Sequence, residues 1–562
     1  MKLNGSQIIL ECLLENGVDT VFGYPGGAVL NIYDALYGYS DRITHILTSH
    51  EQGASHAADG YARSTGKTGV VIATSGPGAT NLVTGLATAY MDSIPMVAIT
   101  GNVSTSLLGL DSFQEVDITG ITLPITKHNR IVKDVAELAD AVREAFFIAE
   151  DGRKGPVLID IPKDITAAVC EFEHKTPKKH VYTVDESEIS EAAKLISAAE
   201  RPFIYAGGGV VSCDAVSGGA EGELSRFAEL IDAPVSLTLM GQCAFDNTSP
   251  RYTGMMGMHG TKTSSLALTE CDLLIVLGSR FSDRVTCNAK SFREAAGKAK
   301  ILHIDIDPAE INKNIAADAQ VRGNIKLVLQ KLNELISQQS HAEWLDRVMQ
   351  WKKQYPLKQI SDNADEVLPQ DVIETLDELT NGEAVITTEV GQHQMWTAEF
   401  YNFRKPRSFA SSGGLGTMGY GLGAAIGCKV GNPEKTVVNC AGDGSFYMNM
   451  NELTTLAKYR LPVIELVFNN SVLGMVRQWQ KLFYGSRFSQ TTLEKPTDFE
   501  LLGKALGIAA LTIEKKSDIR PVLEKAIAMN EPVLINCLIG KDINVLPMVP
   551  AGASIAEPIL EI

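Results

Sequence analysis

The sequence predicts an α/β protein of three domains, each built on a mainly parallel sheet flanked by helices. Three observations predict it. The chain has 562 residues, more than one hydrophobic core serves. Its most apolar runs are short, near-continuous and separated by helix-length stretches, as in parallel strands covered on both faces. Two polar connections interrupt the series.

In the first domain, residues 1–175, strands are predicted at DTVFGYP (19–25), ITHILTS (43–49), GVVIATS (69–75), PMVAITG (95–101) and PVLIDIP (156–162). The turns after them carry Tyr24–Gly27, His50–Glu51, Ser75–Gly78 and Gly101, and open α/β sheets bind ligands at those carboxyl ends. The polar run EFEHKTPKKHVYTVDES (171–187) reads as a linker. A central domain, 188–345, has predicted strands at 202–209, 233–239, 272–278 and 301–307. A connection at about 341–366, charged and helical at first, leads to the third domain, 367–540. Its predicted strands are 383–389, 436–442, 463–470 and 532–538, and residues 541–562 form a tail.

Composition excludes several function classes. Apolar residues make up 45% and charged residues 21%, with a net charge of -17, so non-specific nucleic-acid binding is not expected. The nine Cys form no C-x-x-C pair and several sit in apolar runs. They read as buried thiols in a reducing cytoplasm rather than as a metal or redox motif. The N-terminus carries acids within its apolar stretch and reads as an amphipathic helix, not a signal peptide. No apolar run approaches the ~18 residues of a membrane span.

The strongest chemical signal lies in the third domain. VVNCAGDGSF ends a predicted strand with Gly442-Asp443-Gly444, and VIELVFNN ends the next with Asn469-Asn470. A strand, the helical stretch NMNELTTLAKY and a return form one βαβ unit, which sets the two polar ends side by side. A carboxylate and an amide oxygen there suit Mg²⁺ and leave sites open for phosphate oxygens. Gly442 and Gly444 let backbone amides approach a diphosphate.

GDG followed by NN resembles the diphosphate-binding signature of thiamine diphosphate enzymes. The resemblance extends over essentially the whole chain. FGYPGGAV (22–29), HEQGA (50–54), TSGPGATN (74–81), DSFQE (111–115), GPVLIDIPKD (155–164), GMHG (257–260), RFSDRVT (280–286), SGGLGTMGYGLGAAIG (412–427) and NNSVLGMVRQWQ (469–480) resemble the catalytic subunits of the acetohydroxyacid synthase, or acetolactate synthase, family.

That resemblance implies roles by position. Glu51 is similar to the glutamate that bonds the cofactor's aminopyrimidine and stabilises its imino tautomer, the internal base for the thiazolium proton. Met418 resembles the bulky residue that bends the cofactor, and Gly416 supplies a carbonyl to the pyrimidine. Gly391, Gln392, His393, Ser445 and Met475 line the same pocket, with Mg²⁺ on Asp443, Asn470 and the Val472 carbonyl. The central domain resembles an FAD-binding domain, with Gly207, Gly208, Met258, His259, Arg280, Arg284 and Asp305 as contacts and a flavin of structural role. The implied site lies between two subunits, so a homodimer or homotetramer is expected, with a small regulatory subunit as a further partner.

The implied reaction decarboxylates pyruvate and joins the two-carbon unit to a second pyruvate or to 2-ketobutyrate, in branched-chain amino-acid biosynthesis. Trp479 resembles the residue favouring the larger acceptor, a choice over one methylene worth roughly 1–3 kcal/mol. Arg477 suits the acceptor carboxylate, with Gly27 and Val476 beside the substrate. Phe113, Gln114 and Lys163 resemble channel residues. GNVSTS (101–106) stands where many relatives read GQVPTS, which places Asn102 and Ser104 at the channel mouth. A pyruvate oxidase-like enzyme is the alternative.

Overall fold

The computed structural model describes residues 1–178, 180–213, 218–494 and 497–561. It contains three six-stranded parallel sheets flanked by helices. In the first sheet the spatial order is Thr44–Leu47, Thr20–Tyr24, Gly69–Ala73, Met96–Asn102, Pro156–Pro162, His128–Ile131. The third runs Phe409–Ser411, Val385–Thr388, Val437–Gly442, Val463–Asn469, Val533–Leu538, Ala509–Ile513. Numbered along the chain within each domain, both read 2-1-3-4-6-5. The central sheet runs Tyr252–Met255, Val235–Leu237, Pro202–Ala206, Leu273–Leu277, Lys300–Asp305, Ala319–Arg322. Its order, 3-2-1-4-5-6, is that of doubly wound dinucleotide-binding sheets, with the switch point between strands 1 and 4.

The central strands of each sheet are fully buried, LLIVL at 273–277 and the first five residues of VVNCAG at 437–442 among them. Such runs are apolar on both faces because helices cover both. A short antiparallel pair, Lys2–Asn4 with Val169–Glu171, closes the first domain beyond its main sheet.

The first and third domains meet through two helices, Glu51–Thr65 and Gly421–Gly431. Small residues permit a very close approach: a Cβ on Gly427 would lie 1.8 Å from the Ala57 carbonyl oxygen, and one on Gly60 2.2 Å from that of Ala424. Each helix starts at a motif identified in the sequence: the first begins at Glu51 within HEQ, and the second begins two residues after the last glycine of GTMG.

Two connections are more integrated than the sequence predicts. The charged helix Ala342–Gln354 packs on the central domain, its buried Trp344 donating an indole N–H to the Pro202 carbonyl at 2.9 Å. The tail returns across the central domain: Ile555 is fully buried in its core, and Val549 donates to the Met258 carbonyl at 2.7 Å.

Candidate active site

The third sheet sets the diphosphate motif. Strands Val437–Gly442 and Val463–Asn469 pair in parallel with Gly442 opposite Phe468. Asp443 and Asn470 therefore emerge from neighbouring strand ends, and both are buried. Asn470 Oδ1 accepts from the Val472 amide at 3.2 Å, across Ser471, whose φ of 56° lies in the left-handed region. This tight turn folds the Val472 backbone back beside Asn470. Glycines keep the surroundings narrow. A Cβ on Gly442 would meet His393 Nδ1 at 2.7 Å, one on Gly444 Leu473 Cδ2 at 2.6 Å, and one on Gly474 Gln392 Oε1 at 2.0 Å. Ser445 is buried and donates to the Gly442 carbonyl at 3.1 Å.

Two polar atoms here lack a protein partner although buried: Gln392 Oε1 and His393 Nε2. Burial pushes the His393 imidazole down to about 3, so it is neutral and able to accept or donate one hydrogen bond. Unsatisfied buried groups of this kind call for a ligand or ordered water. With a carboxylate at one strand end and an amide oxygen and a backbone carbonyl at the turn after its neighbour, the donor set matches a hard cation that also binds diphosphate oxygens.

Met418 lies on the opposite wall, its Cε 3.9 Å from the position a Cβ would take on Gly444. It is bracketed by Gly416 (φ 73°) and Gly419 (φ 88°), conformations that side chains with a Cβ rarely adopt. The turn is anchored by the Thr417 amide on Ser412 Oγ at 3.0 Å and by Asn449 Nδ2 on the Gly419 carbonyl at 3.0 Å.

In the first domain, Glu51 opens its helix at a strand end, is buried, and accepts from Asn81 Nδ2 at 3.0 Å. His50 caps the same helix by accepting the Gln52 amide at 3.1 Å. The capping and functional readings of His-Glu are thus divided between the two residues. The loops carrying Gly27 and Gln114 converge on this edge. Ala28 donates to Thr74 Oγ1 at 3.2 Å, and a Cβ on Gly76 would lie 2.9 Å from Gln114 Cα. Phe113 projects into solvent, 87% exposed. Lys163 starts a short helix whose backbone is tied to Asn31.

A cavity of about 810 Å³ joins the central domain to the third. Gly207, Gly208, Met258, His259, Arg280, Arg284 and Asp305 line it from one side, and Gly391, Gly416, Met475 and Trp479 from the other. Gly207 and Gly278 flank the switch point so closely that a Cβ on Gly207 would lie 2.3 Å from the Gly278 carbonyl oxygen. Asp305 ends its strand, buried, its carboxyl pushed up to about 6 by desolvation. Arg280 and Arg284 line this cavity and are not one helical stripe, because the helix that carries Arg284, Asp283–Thr286, begins after Arg280. The cavity wall does not include Glu51, Gln114 or Lys163 of the same chain.

Two expectations need revision. Asn102 is not at a channel mouth: it is buried, with Nδ2 2.5 Å from Asp160 Oδ2 and Oδ1 accepting the Val103 amide at 2.8 Å. Arg477 is already forked onto Asp542, with Nε–Oδ1 at 2.9 Å and Nη2–Oδ2 at 3.3 Å, and stacks on Phe488 at 3.8 Å. Gripping a substrate carboxylate therefore means exchanging one carboxylate for another. Val476, on the same helix, is half-exposed.

Sequence reasoning missed Glu389, Glu452 and Asp92. Glu452 accepts the Ser49 and His50 amides, at 3.1 and 3.0 Å, and so ties the Glu51 loop to the third domain. Asp92 bonds Arg63 at 2.9 Å and accepts the Gly414 amide at 2.7 Å. Each stood in an unremarkable polar context in the sequence. The available signal was a lone acid beside glycines or at a helix end.

Comparison with known proteins bears on all three domains. Family models described as the N-terminal TPP binding domain, the central domain and the C-terminal TPP binding domain of thiamine pyrophosphate enzymes match residues 3–121, 189–332 and 389–537. The chain is 47% identical to the probable acetolactate synthase large subunit of Methanocaldococcus jannaschii, over 99% of this chain and 96% of the relative. It is 46% identical to the acetolactate synthase large subunit of Corynebacterium glutamicum, over 98% and 89%. With that of Pyropia yezoensis it shares 43%, over 99% and 95%.

Proposed function

The chain belongs to the acetolactate synthase large-subunit family of thiamine pyrophosphate enzymes, and from that premise we propose how its residues carry the reaction. It is a thiamine diphosphate-dependent enzyme that decarboxylates pyruvate and condenses the two-carbon unit with a second 2-keto acid. Two pyruvates give 2-acetolactate; pyruvate with 2-ketobutyrate gives 2-aceto-2-hydroxybutyrate. When bound, thiamine diphosphate supplies a carbanion nucleophile and an electron sink for the departing CO₂.

The protein's part is binding, orientation and proton placement. Asp443, Asn470 and the Val472 carbonyl would hold Mg²⁺, which would neutralise charge on the diphosphate. Gln392, His393, Gly442, Gly444 and Ser445 cradle the diphosphate oxygens. Met418 and Gly416 shape the aminopyrimidine end, and Glu51 holds a proton at its ring nitrogen. A positioned carboxyl of this kind contributes on the order of 10²–10⁴-fold. Trp479 and Met475 wall the acceptor side, and Arg477 meets the acceptor carboxylate by leaving Asp542. The observation that carries this reading is the register of the third sheet, which brings the Asp443 and Asn470 strand ends together beside the two unsatisfied polar atoms of Gln392 and His393.

The inter-domain cavity would take FAD, with the Gly207–Gly209 backbone available to its diphosphate and Asp305 to its adenosine or ribitol hydroxyls. The 3-2-1-4-5-6 sheet order and the glycines on both sides of the switch point support it. A second copy of the chain completes the site. Phe113, Leu110 and Leu123 of the first domain and Met448 of the third are 59–87% exposed, an apolar surface of the kind partners cover. Glu51 then serves the cofactor held by the other copy's third domain. Localisation in the cytoplasm and association with a small regulatory subunit complete the proposal.

The test is acetolactate release from purified protein with thiamine diphosphate, Mg²⁺ and FAD omitted in turn. Full activity without thiamine diphosphate and Mg²⁺ refutes the assignment of Asp443 and Asn470. Stoichiometric flavin bleaching by pyruvate without oxygen points instead to a redox enzyme of the pyruvate oxidase kind.

A further inference from the structure

The turn that carries Met418 is built on a carboxylate to which neither sequence nor family resemblance drew attention. Glu389 directly follows the strand Val385–Thr388 and is 1% exposed. Its Oε2 accepts the Gly419 amide at 2.6 Å, and its Oε1 accepts those of Gly421 at 2.8 Å and Leu422 at 3.2 Å. One side chain thus takes one donor from the turn and two from the start of helix Gly421–Gly431, the latter being donors that the helix itself leaves unpaired.

The turn is closed from behind as well. A Cβ on Gly421 would lie 2.3 Å from Asn439 Oδ1. Asn439 is fixed in turn, donating to both oxygens of Glu465 at 3.0 and 2.9 Å and accepting from Thr387 Oγ1 at 2.9 Å. At the other flank, Asp92 accepts the Gly413 and Gly414 amides at 3.2 and 2.7 Å. Met418 therefore sits on a loop pinned at both ends by buried carboxylates.

We propose that Glu389 is a positioning residue that fixes the Gly419–Leu422 amides and thereby sets Met418 against the aminopyrimidine end of the cofactor. The proposal rests on the reading that Met418 faces thiamine diphosphate. A glutamine at 389 matches the carboxylate in size, but its amide has one acceptor atom. With that oxygen toward Gly421 and Leu422, its NH₂ confronts the Gly419 N–H, the amide next to Met418.

The experiment compares wild type with Glu389→Gln, using Glu389→Asp in the same way should the glutamine variant not fold. In cofactor-free protein, amide hydrogen exchange at Gly419, Gly421 and Leu422 is expected to accelerate up to about tenfold, as loss of a buried hydrogen bond implies. Strand Val463–Asn469 is expected to keep its protection. In protein loaded with thiamine diphosphate and Mg²⁺, exchange of the cofactor's C2 proton is expected to slow about tenfold while cofactor affinity changes less than about threefold, the pattern of lost orientation rather than lost binding. Unchanged protection at the three amides overturns the proposal, as does uniform loss across the domain or an unchanged C2 exchange rate. If the wild-type protein itself fails to accelerate C2 exchange, the functional reading falls instead, and the amide result still decides whether Glu389 holds the turn.

Discussion

Gly427→Ala tests whether the close approach of the Glu51–Thr65 and Gly421–Gly431 helices is required. In an isolated helix the substitution stabilises by about 1 kcal/mol, because alanine loses less backbone freedom. Here the added methyl would lie 1.8 Å from the Ala57 carbonyl oxygen and 2.7 Å from the Ala57 carbonyl carbon and the Tyr61 amide nitrogen. Comfortable contacts begin at about 3.5 Å, so the helices must separate by roughly 1.5 Å. All the atoms met are backbone, so no rotamer change relieves the clash. Overpacking of this kind costs about 1–3 kcal/mol, which exceeds the propensity gain. The expected outcome is a lower urea midpoint by circular dichroism for the cofactor-free protein, with reduced acetolactate formation, since the same helices follow the Glu51 and Met418 motifs. Gly38→Ala, where nothing lies within 4 Å of the new methyl, is the control and is expected to be neutral or stabilising. A Gly427→Ala midpoint equal to or above wild type refutes the argument.

Three further outcomes follow from the geometry. Glu51→Gln keeps the fold and cofactor affinity but loses about 10²–10⁴-fold in acetolactate formation; an unchanged kcat removes Glu51 from the mechanism. Asp542→Asn frees Arg477 from a partly exposed pair worth up to about 1 kcal/mol, so KM for 2-ketobutyrate is expected to fall up to about fivefold, and a rise would show that Asp542 holds Arg477 in its working position. His56 and His393 have pKa values driven by burial down to about 3, below their unfolded value. Their stabilisation is therefore complete above pH 6.5 and is lost as pH falls through the window from 6.5 toward 3. At pH 5 each costs about 2 kcal/mol, and a urea midpoint of cofactor-free His393→Gln that falls as steeply with acid as wild type would count against this account.

Most of the sheet framework was legible because burial on both faces writes itself as continuous apolar sequence. GVVIA, MVAITGN, LLIVL and VVNCAG are such runs. Of the three six-stranded sheets, the five strands not predicted are all at the edges: His128–Ile131, Tyr252–Met255, Ala319–Arg322, Phe409–Ser411 and Ala509–Ile513; the short pair Lys2–Asn4 and Val169–Glu171 was not predicted either. An edge strand is short and often half solvated, so HNRI or AQVR carries no distinctive pattern. The site followed the same division. Asp443 and Asn470 were readable because neighbouring parallel strands bring their ends together by topology alone. Glu389, Asp92 and the Arg477–Asp542 pair were not, because each depends on a contact between segments distant in the chain. Asn102 was misplaced for that reason: the resemblance of GNVSTS to relatives placed it at a channel mouth, whereas Asp160, 58 residues away, draws it inward.

The sheet orders explain how the chemistry is divided. The first and third domains share the order 2-1-3-4-6-5 and present their motifs at the carboxyl edge of the sheet, Glu51 after strand 2 of the first, Asp443 and Asn470 after strands 3 and 4 of the third. In the third domain that edge offers oxygen donors and backbone amides, suited to a cation and a diphosphate. In the first it offers a single buried carboxyl, suited to holding one proton. On the proposed reading two domains of one topology supply complementary halves of one cofactor site, which a second copy of the chain would join; the cavity wall around Gly416 and Met475 does not include Glu51 of the same chain. The central domain, with its different strand order, has no part in that pairing. It meets the third domain across the cavity, where the tail binds Met258 on one side and Gln478 on the other through Val549 and Val545. The flavin proposed for that cavity would brace the wall that carries Met475 and Trp479, and so would have a physical role without a redox one.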